Sequence, residues 1–267
     1  MISYKFTNRF AATVLTLAIP MVTSLAIAEV SAREAGRETG KESIGKEKYP
    51  EKVFPEEFIQ AIKLEPNLEN GKQLYKGCIA CHGPEGWGTH SGSYPQIAGQ
   101  LKSVIIKQLA DFRAGNRDNP IMRAFTSQRA LGGPQDIADV SGYIANLPMT
   151  TDVDKGIPLR DDNGEKLYKE MCANCHGENG EGDWEDHGPA LYAQHFSYLK
   201  RQFDWIRNGR RRNADPKMTR QIKDMSIRDE VDILSYTAQL EPPKEKLAEP
   251  GWTNPDFPGI NRRSLPK

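Results

Sequence analysis

Cys78-Ile79-Ala80-Cys81-His82 decides the reading of this chain, and it has a twin at Cys172-Ala173-Asn174-Cys175-His176. On one helical turn, residues three and four apart share a face, so Cys78, Cys81 and His82 address the same ligand. C-x-x-C-H is the attachment signature of c-type haem. Two thioethers hold the porphyrin edge and the imidazole takes an axial position on the iron; Cys172, Cys175 and His176 repeat the arrangement. Two disulfides, a zinc site or a redox dithiol would also use paired cysteines. None of them explains why a histidine follows the second cysteine both times. The pentads use all four cysteines of the 267 residues, so two covalently bound haem c groups are expected.

The repetition extends well beyond the pentads. Asn70-Gly71-Lys72-Gln73-Leu74-Tyr75-Lys76 matches Asn163-Gly164-Glu165-Lys166-Leu167-Tyr168-Lys169. Downstream, Pro95, Gln100, Gln108 and Gly115 face Pro189, Gln194, Gln202 and Gly209, and Tyr143 faces Tyr236. Equivalent residues lie 93 to 96 positions apart throughout, which marks a tandem duplication of one haem domain. Each copy reads as helical. Asn70 and Asn163 are placed to N-cap the helix that leads to each pentad. A second helix follows over 100–114 and 194–208, stopping at Gly115 and Gly209. A third runs over 135–147 and 227–240 and ends before proline. No stretch alternates as a strand, so the fold class is all-α.

A sixth iron ligand separates a carrier from a catalyst. Met122, in Asn119-Pro120-Ile121-Met122, lies 40 residues beyond His82, and Met218, in Asp215-Pro216-Lys217-Met218, lies 42 beyond His176. Both follow a proline in what reads as a loop between the second and third helices. A thioether opposite histidine fills the coordination shell and raises the potential. Met225, seven residues after Met218, competes for the second iron. Met149 and Met171 have no repeat partner and read as packing or surface residues. His90 and His187 read as solvent-exposed, and His195 faces Leu101, which argues against a shared chemical role.

Residues 1–28 carry Lys5 and Arg9, then a largely apolar run and an A-x-A site at Ala26-Ile27-Ala28, the pattern of a secretory signal peptide. A retained membrane anchor is the alternative, weakened by Pro20, Thr23 and Ser24. Either way the rest of the chain lies outside the cytoplasm, where haem c is attached. The whole chain has formal charge +0, and without its first 28 residues −2, so nothing points to nucleic acid. Residues 29–64 read as a charged flexible leader, with one short amphipathic helix over 54–64 packed on the first haem domain. The domains are expected at 65–150 and 151–241. A tail over 242–267, rich in proline and carrying Trp252, Phe257 and Arg262-Arg263, reads as extended and able to wrap the domains. The basic run 210–212 reads as a docking site for an acidic partner.

Pro95-Gln96-Ile97-Ala98-Gly99-Gln100, Lys107-Gln108-Leu109-Ala110-Asp111-Phe112-Arg113-Ala114-Gly115, the Asn119 to Met122 loop and the Asp136 to Ala145 helix together resemble cytochrome c4. The second copy is looser: Tyr192-Ala193-Gln194 replaces Ala98-Gly99-Gln100, and Asp215 replaces Asn119. The resemblance implies a bacterial, periplasmic di-haem cytochrome of class I, with two domains facing each other and haem propionates near their interface. Its partners would be a donor dehydrogenase or cytochrome complex and an acceptor oxidase or reductase, with the membrane involved only if the signal segment is retained. Two other readings stand beside the free electron carrier: a cytochrome subunit of a periplasmic dehydrogenase, for example one oxidising reduced sulfur, and a di-haem enzyme with an open haem.

Overall fold

The computed structural model describes residues 54–160 and 162–260, all within one compact unit, Tyr49–Lys267. The signal segment 1–28, most of the charged leader, and Arg262 and Arg263 lie outside the described residues. Among the described residues the chain is helical, and the extended pairing consists of two isolated bridges, Met149 with Leu247 and Asp183 with Gly188.

Two sets of helices follow one another. The first comprises α1 (Glu56–Ala61), α2 (Leu68–Tyr75), α3 (Ile79–His82), α4 (Lys102–Ala114), α5 (Pro120–Thr126), α6 (Gln128–Leu131) and α7 (Pro134–Ala145). The second comprises α8 (Asn163–Met171), α9 (Ala173–His176), α10 (Phe196–Arg207), α11 (Pro216–Ile222) and α12 (Ile227–Gln239). The leader helix α1 packs on α4 and α7 through Phe58, as its apolar spacing requires.

The repeated Asn-Gly-x-x-x-Tyr segment is the device that crosses the helices. A Cβ on Gly71 would lie 2.2 Å from the Asp139 carbonyl oxygen, and one on Gly164 2.3 Å from that of Asp232. Glycine therefore lets α2 meet α7, and α8 meet α12, backbone to backbone. Tyr75 then donates its hydroxyl to the Gly83 carbonyl at 2.7 Å, and Tyr168 to Gly177 at 2.8 Å, fixing the turn that ends each pentad.

The asparagines do something other than capping. Asn67 caps α2, accepting from the Asn70 amide at 3.1 Å, and Asn163 is already the first residue of α8. The Asn70 amide group is committed to the carboxylates of Asp136 and Asp139, and that of Asn163 to Asp229 and Asp232. Each ties the helix before its pentad to the last helix of its copy. The pentads likewise form short helices of their own, α3 and α9, rather than the far ends of α2 and α8. Met122 and Met218 also sit in helices, not loops. Asn119 and Asp215 cap α5 and α11, and Pro120 and Pro216 occupy the first helical position, a pair of signals that nucleates a turn.

Beyond α12 the tail forms one 3-10 turn, Lys244–Lys246, and returns to the first helical set. The Met149 amide donates to the Lys246 carbonyl at 2.7 Å and the Ala248 amide to that of Met149 at 2.8 Å. Trp252 packs against Trp87, buried Asn254 donates to the Pro84 carbonyl at 2.7 Å, and Phe257 enters the first core beside Tyr75. Wrapping is thus the observed behaviour of this segment.

Candidate haem-binding site

Both pentads open onto one continuous cavity of about 880 Å³. Cys78, Cys81, His82 and Met122 line it from the first copy, and Cys172, Cys175, His176 and Met218 from the second. Met225 packs in the second core and is not on the cavity wall. His187 and Met171 do lie on the wall, whereas His90 is exposed elsewhere and Met149 is buried.

The histidines are held alike. His82 donates through Nδ1 to the Pro95 carbonyl at 3.0 Å, and His176 through Nδ1 to the Pro189 carbonyl at 2.9 Å. A carbonyl can only accept, so each Nδ1 carries the proton and Nε2 keeps the lone pair a metal needs. Burial holds both imidazoles below their ordinary pKa, with Arg211 adding to the effect on His176, so both rings are neutral at pH 7. Burial also pushes the Cys78 and Cys172 thiols up to about 12, which disfavours the thiolates a zinc site requires. The two sites differ in access: His82 is buried, His176 half-buried, and Cys175 exposed where Cys81 is not.

Between the pentads the two copies meet through repeat-equivalent side chains. Gln100 pairs its amide with the backbone of Ala190, donating and accepting at 2.9 Å each. Gln194 does the same with the equivalent residue Gln96, at 2.8 and 3.1 Å. Deeper in, Arg117 donates to Gln108 at 2.7 Å and across to Gln202 at 2.8 Å, while Arg211 donates to Gln202 at 3.2 Å and across to Gln108 at 3.4 Å. All four line the cavity. Two guanidinium groups thus share neutral acceptors, and burial together with the Arg117 charge pushes Arg211 down to about 9. A carboxylate placed in this cavity would relieve that cost.

This corrects the reading of the basic run 210–212 as one solvated docking site. Arg210 is exposed and stacks over Trp205 at 4.7 Å, Arg211 turns into the cavity, and Arg212 is tied to the Gly115 carbonyl at 2.7 Å. Arg207 is likewise spent on buried Glu230. His195, expected without a shared chemical role, is an inter-copy clasp: its Nε2 donates to the Trp87 carbonyl at 2.9 Å while Nδ1 accepts from the Asp154 amide at 3.4 Å. Sequence reasoning used the Gln pairs only as landmarks of the duplication and overlooked the match of Arg117 with Arg211. Their common spacing of 94 residues was the signal available.

The donor set fits haem of the c type. Neutral thiols, a neutral imidazole with Nε2 available, a soft thioether, apolar walls such as Ile105 and Leu199, and buried cations suited to propionates all border the same cavity. What the duplicated helical unit builds is a di-haem c-type cytochrome of class I. The family model described as Cytochrome c matches residues 68–148, and that described as Cytochrome C oxidase, cbb3-type, subunit III, matches 160–234. Cytochrome c4 of Azotobacter vinelandii is 31% identical over 179 residues, covering 61% of this chain and 84% of that protein. The crystal structure of reduced cytochrome c4 from Pseudomonas stutzeri superposes with a TM-score of 0.58 at 28% identity, covering 66% of this chain and all of that one. A thiosulfate dehydrogenase electron acceptor of Thiomonas intermedia is 31% identical over 147 residues, 52% of this chain and 66% of that protein. The chain belongs to the cytochrome c4 family. With that membership go two covalently bound haem c groups, a periplasmic location and the role of an electron carrier rather than an enzyme.

Proposed function

We propose that this cytochrome passes single electrons between periplasmic redox proteins. Cys78 and Cys81 would hold one haem through thioethers, with His82 and Met122 ligating its iron; Cys172 and Cys175 would hold the other, with His176 and Met218 ligating its iron. The haem domains span 65–150 and 151–241. Haem c, once bound, supplies a reversible one-electron iron couple. The protein's contribution is to fix and shield it. Pro95 and Pro189 orient the two imidazoles, the caps at Asn119 and Asp215 aim the methionine helices, and Arg117 and Arg211, on the cavity wall, would pair with the haem carboxylates. The observation that carries this reading is the convergence of two complete sets of thiol, imidazole and thioether donors on one cavity. An iron ligated by both histidine and methionine would offer no coordination site to peroxide or oxygen. A reductive titration of the holoprotein tests it: two electrons are taken up per chain, and neither carbon monoxide nor peroxide alters the spectrum at neutral pH. Uptake of carbon monoxide at stoichiometric levels would exclude it.

The donor is proposed to be a dehydrogenase acting on reduced sulfur. The observation favouring this is the similarity to the Thiomonas electron acceptor of thiosulfate dehydrogenase. Oxidised holoprotein mixed with a thiosulfate dehydrogenase should be reduced only after thiosulfate is added. Reduction no faster than with thiosulfate alone would remove this donor and leave the carrier role intact.

A further inference from the structure

The helices that carry the two methionines have diverged on their outer faces. Both α5 and α11 open with a capped proline and bring methionine to the cavity at the third position. The next matches differ in kind: Ile121 stands where the second copy has Lys217, Ala124 where it has Arg220, and Phe125 where it has Gln221. Ile121 and Phe125 are 56% and 47% exposed, so the first mouth is apolar. Lys217 and Arg220 are exposed and reach the cavity wall, so the outer face of α11 is cationic where that of α5 is apolar.

Helix stability does not account for this change. A cation in the first turn, where Lys217 stands, opposes the helix dipole. No ion pair ties Lys217 to a carboxylate among the described residues, whereas Lys200 and Arg207 nearby are both bound to Glu230. Asp215, the carboxylate at the start of α11, caps that helix, accepting from the Lys217 amide at 2.7 Å. The second site is also the more open, with Cys175 exposed and His176 only half-buried.

We infer that the outer face of α11 is the docking surface for an acidic redox protein, one whose own redox centre is ringed by carboxylates, and that electrons cross to or from that partner at the second haem site. This deepens the carrier reading and rests on it. Charge complementarity at the more exposed site steers the encounter, so its signature lies in the association rate and its salt dependence.

The probe is reduced flavodoxin, an acidic electron donor, mixed with oxidised holoprotein in a stopped-flow instrument. The native rate should fall about tenfold between low and high salt, as screened attraction requires. The double variant Lys217→Glu, Arg220→Glu should be slower by about tenfold at low salt and lose or invert the salt dependence. Ile121→Glu, at the equivalent position of the first copy, should stay within about twofold of native. Amide signals of α11 should shift when oxidised flavodoxin is added to the native protein and not to the double variant. Both variants should keep the native reduction rate with an uncharged hydroquinone. The inference is overturned by a double variant as fast as native at low salt, by equal slowing in Ile121→Glu, or by equal slowing with the hydroquinone, which would place the defect at the haem. Failure of native protein to accept electrons from either donor would instead strike the carrier reading.

Discussion

Asp232 is fully buried, yet it accepts from the Leu159 and Arg160 amides at 2.7 and 3.0 Å, from Arg160 Nε at 2.7 Å and from Asn163 Nδ2 at 3.0 Å. Burial raises its pKa, but these donors outweigh burial and hold the carboxyl below its ordinary value. A group depressed in the folded state stabilises fully above its unfolded value of about 3.9, and that contribution disappears as pH falls through the folded value. Asp232→Asn should therefore lower stability at pH 7 by about 2 kcal/mol, with the gap from native closing toward pH 2; urea titrations across pH check this. A constant gap at every pH would show that the charge is irrelevant. The glycines give a second contrast at this scale. Gly71→Ala must push α2 off α7, costing about 3 kcal/mol, whereas Gly77→Ala, whose Cβ would meet its nearest neighbour at 3.6 Å, should change stability by no more than about 0.5 kcal/mol in thermal melts.

The elements were legible where their signals are local. Apolar spacing and the closing glycine place α4 within two residues of its expected start, and the duplication carries the assignment over to α10. Misplaced features were those decided by distant partners. Asn70 has the chemistry of a cap, but Asp136 and Asp139 of a helix 66 and 69 residues away claim its amide. Asn-Pro-x-Met reads as a loop because proline interrupts periodicity, although proline at the first helical position favours a helix. The tail has no periodicity, and its anchors became visible only against Tyr75, Trp87 and Tyr143. Phe257→Ala should cost about 3 kcal/mol, because it empties a place in the first core 17 residues beyond the last expected helix residue of the second domain. A melt unchanged from native would mean that the strap adds nothing to that core.

At the scale of the molecule, the chemistry of each site was readable because C-x-x-C-H is contiguous, whereas the surface joining the sites was hidden because it is made by symmetry between copies. Gln100 and Gln194 each satisfy a backbone amide and carbonyl of the opposite copy, so the double variant Gln100→Ala, Gln194→Ala leaves four backbone groups without these partners. Calorimetry should then resolve two unfolding transitions in place of one; a single unshifted transition would mean that the copies are coupled elsewhere. The central claim, two irons each held by histidine and methionine, is tested most directly by the optical and low-temperature EPR spectra of the oxidised holoprotein beside Met122→Ala and Met218→Ala. Two low-spin haems with the far-red methionine-to-iron band are expected, half of that band vanishing in each variant and Met225→Ala leaving it intact. A native haem that is high-spin or bis-histidine, or a band that survives Met218→Ala and disappears in Met225→Ala, would contradict the account.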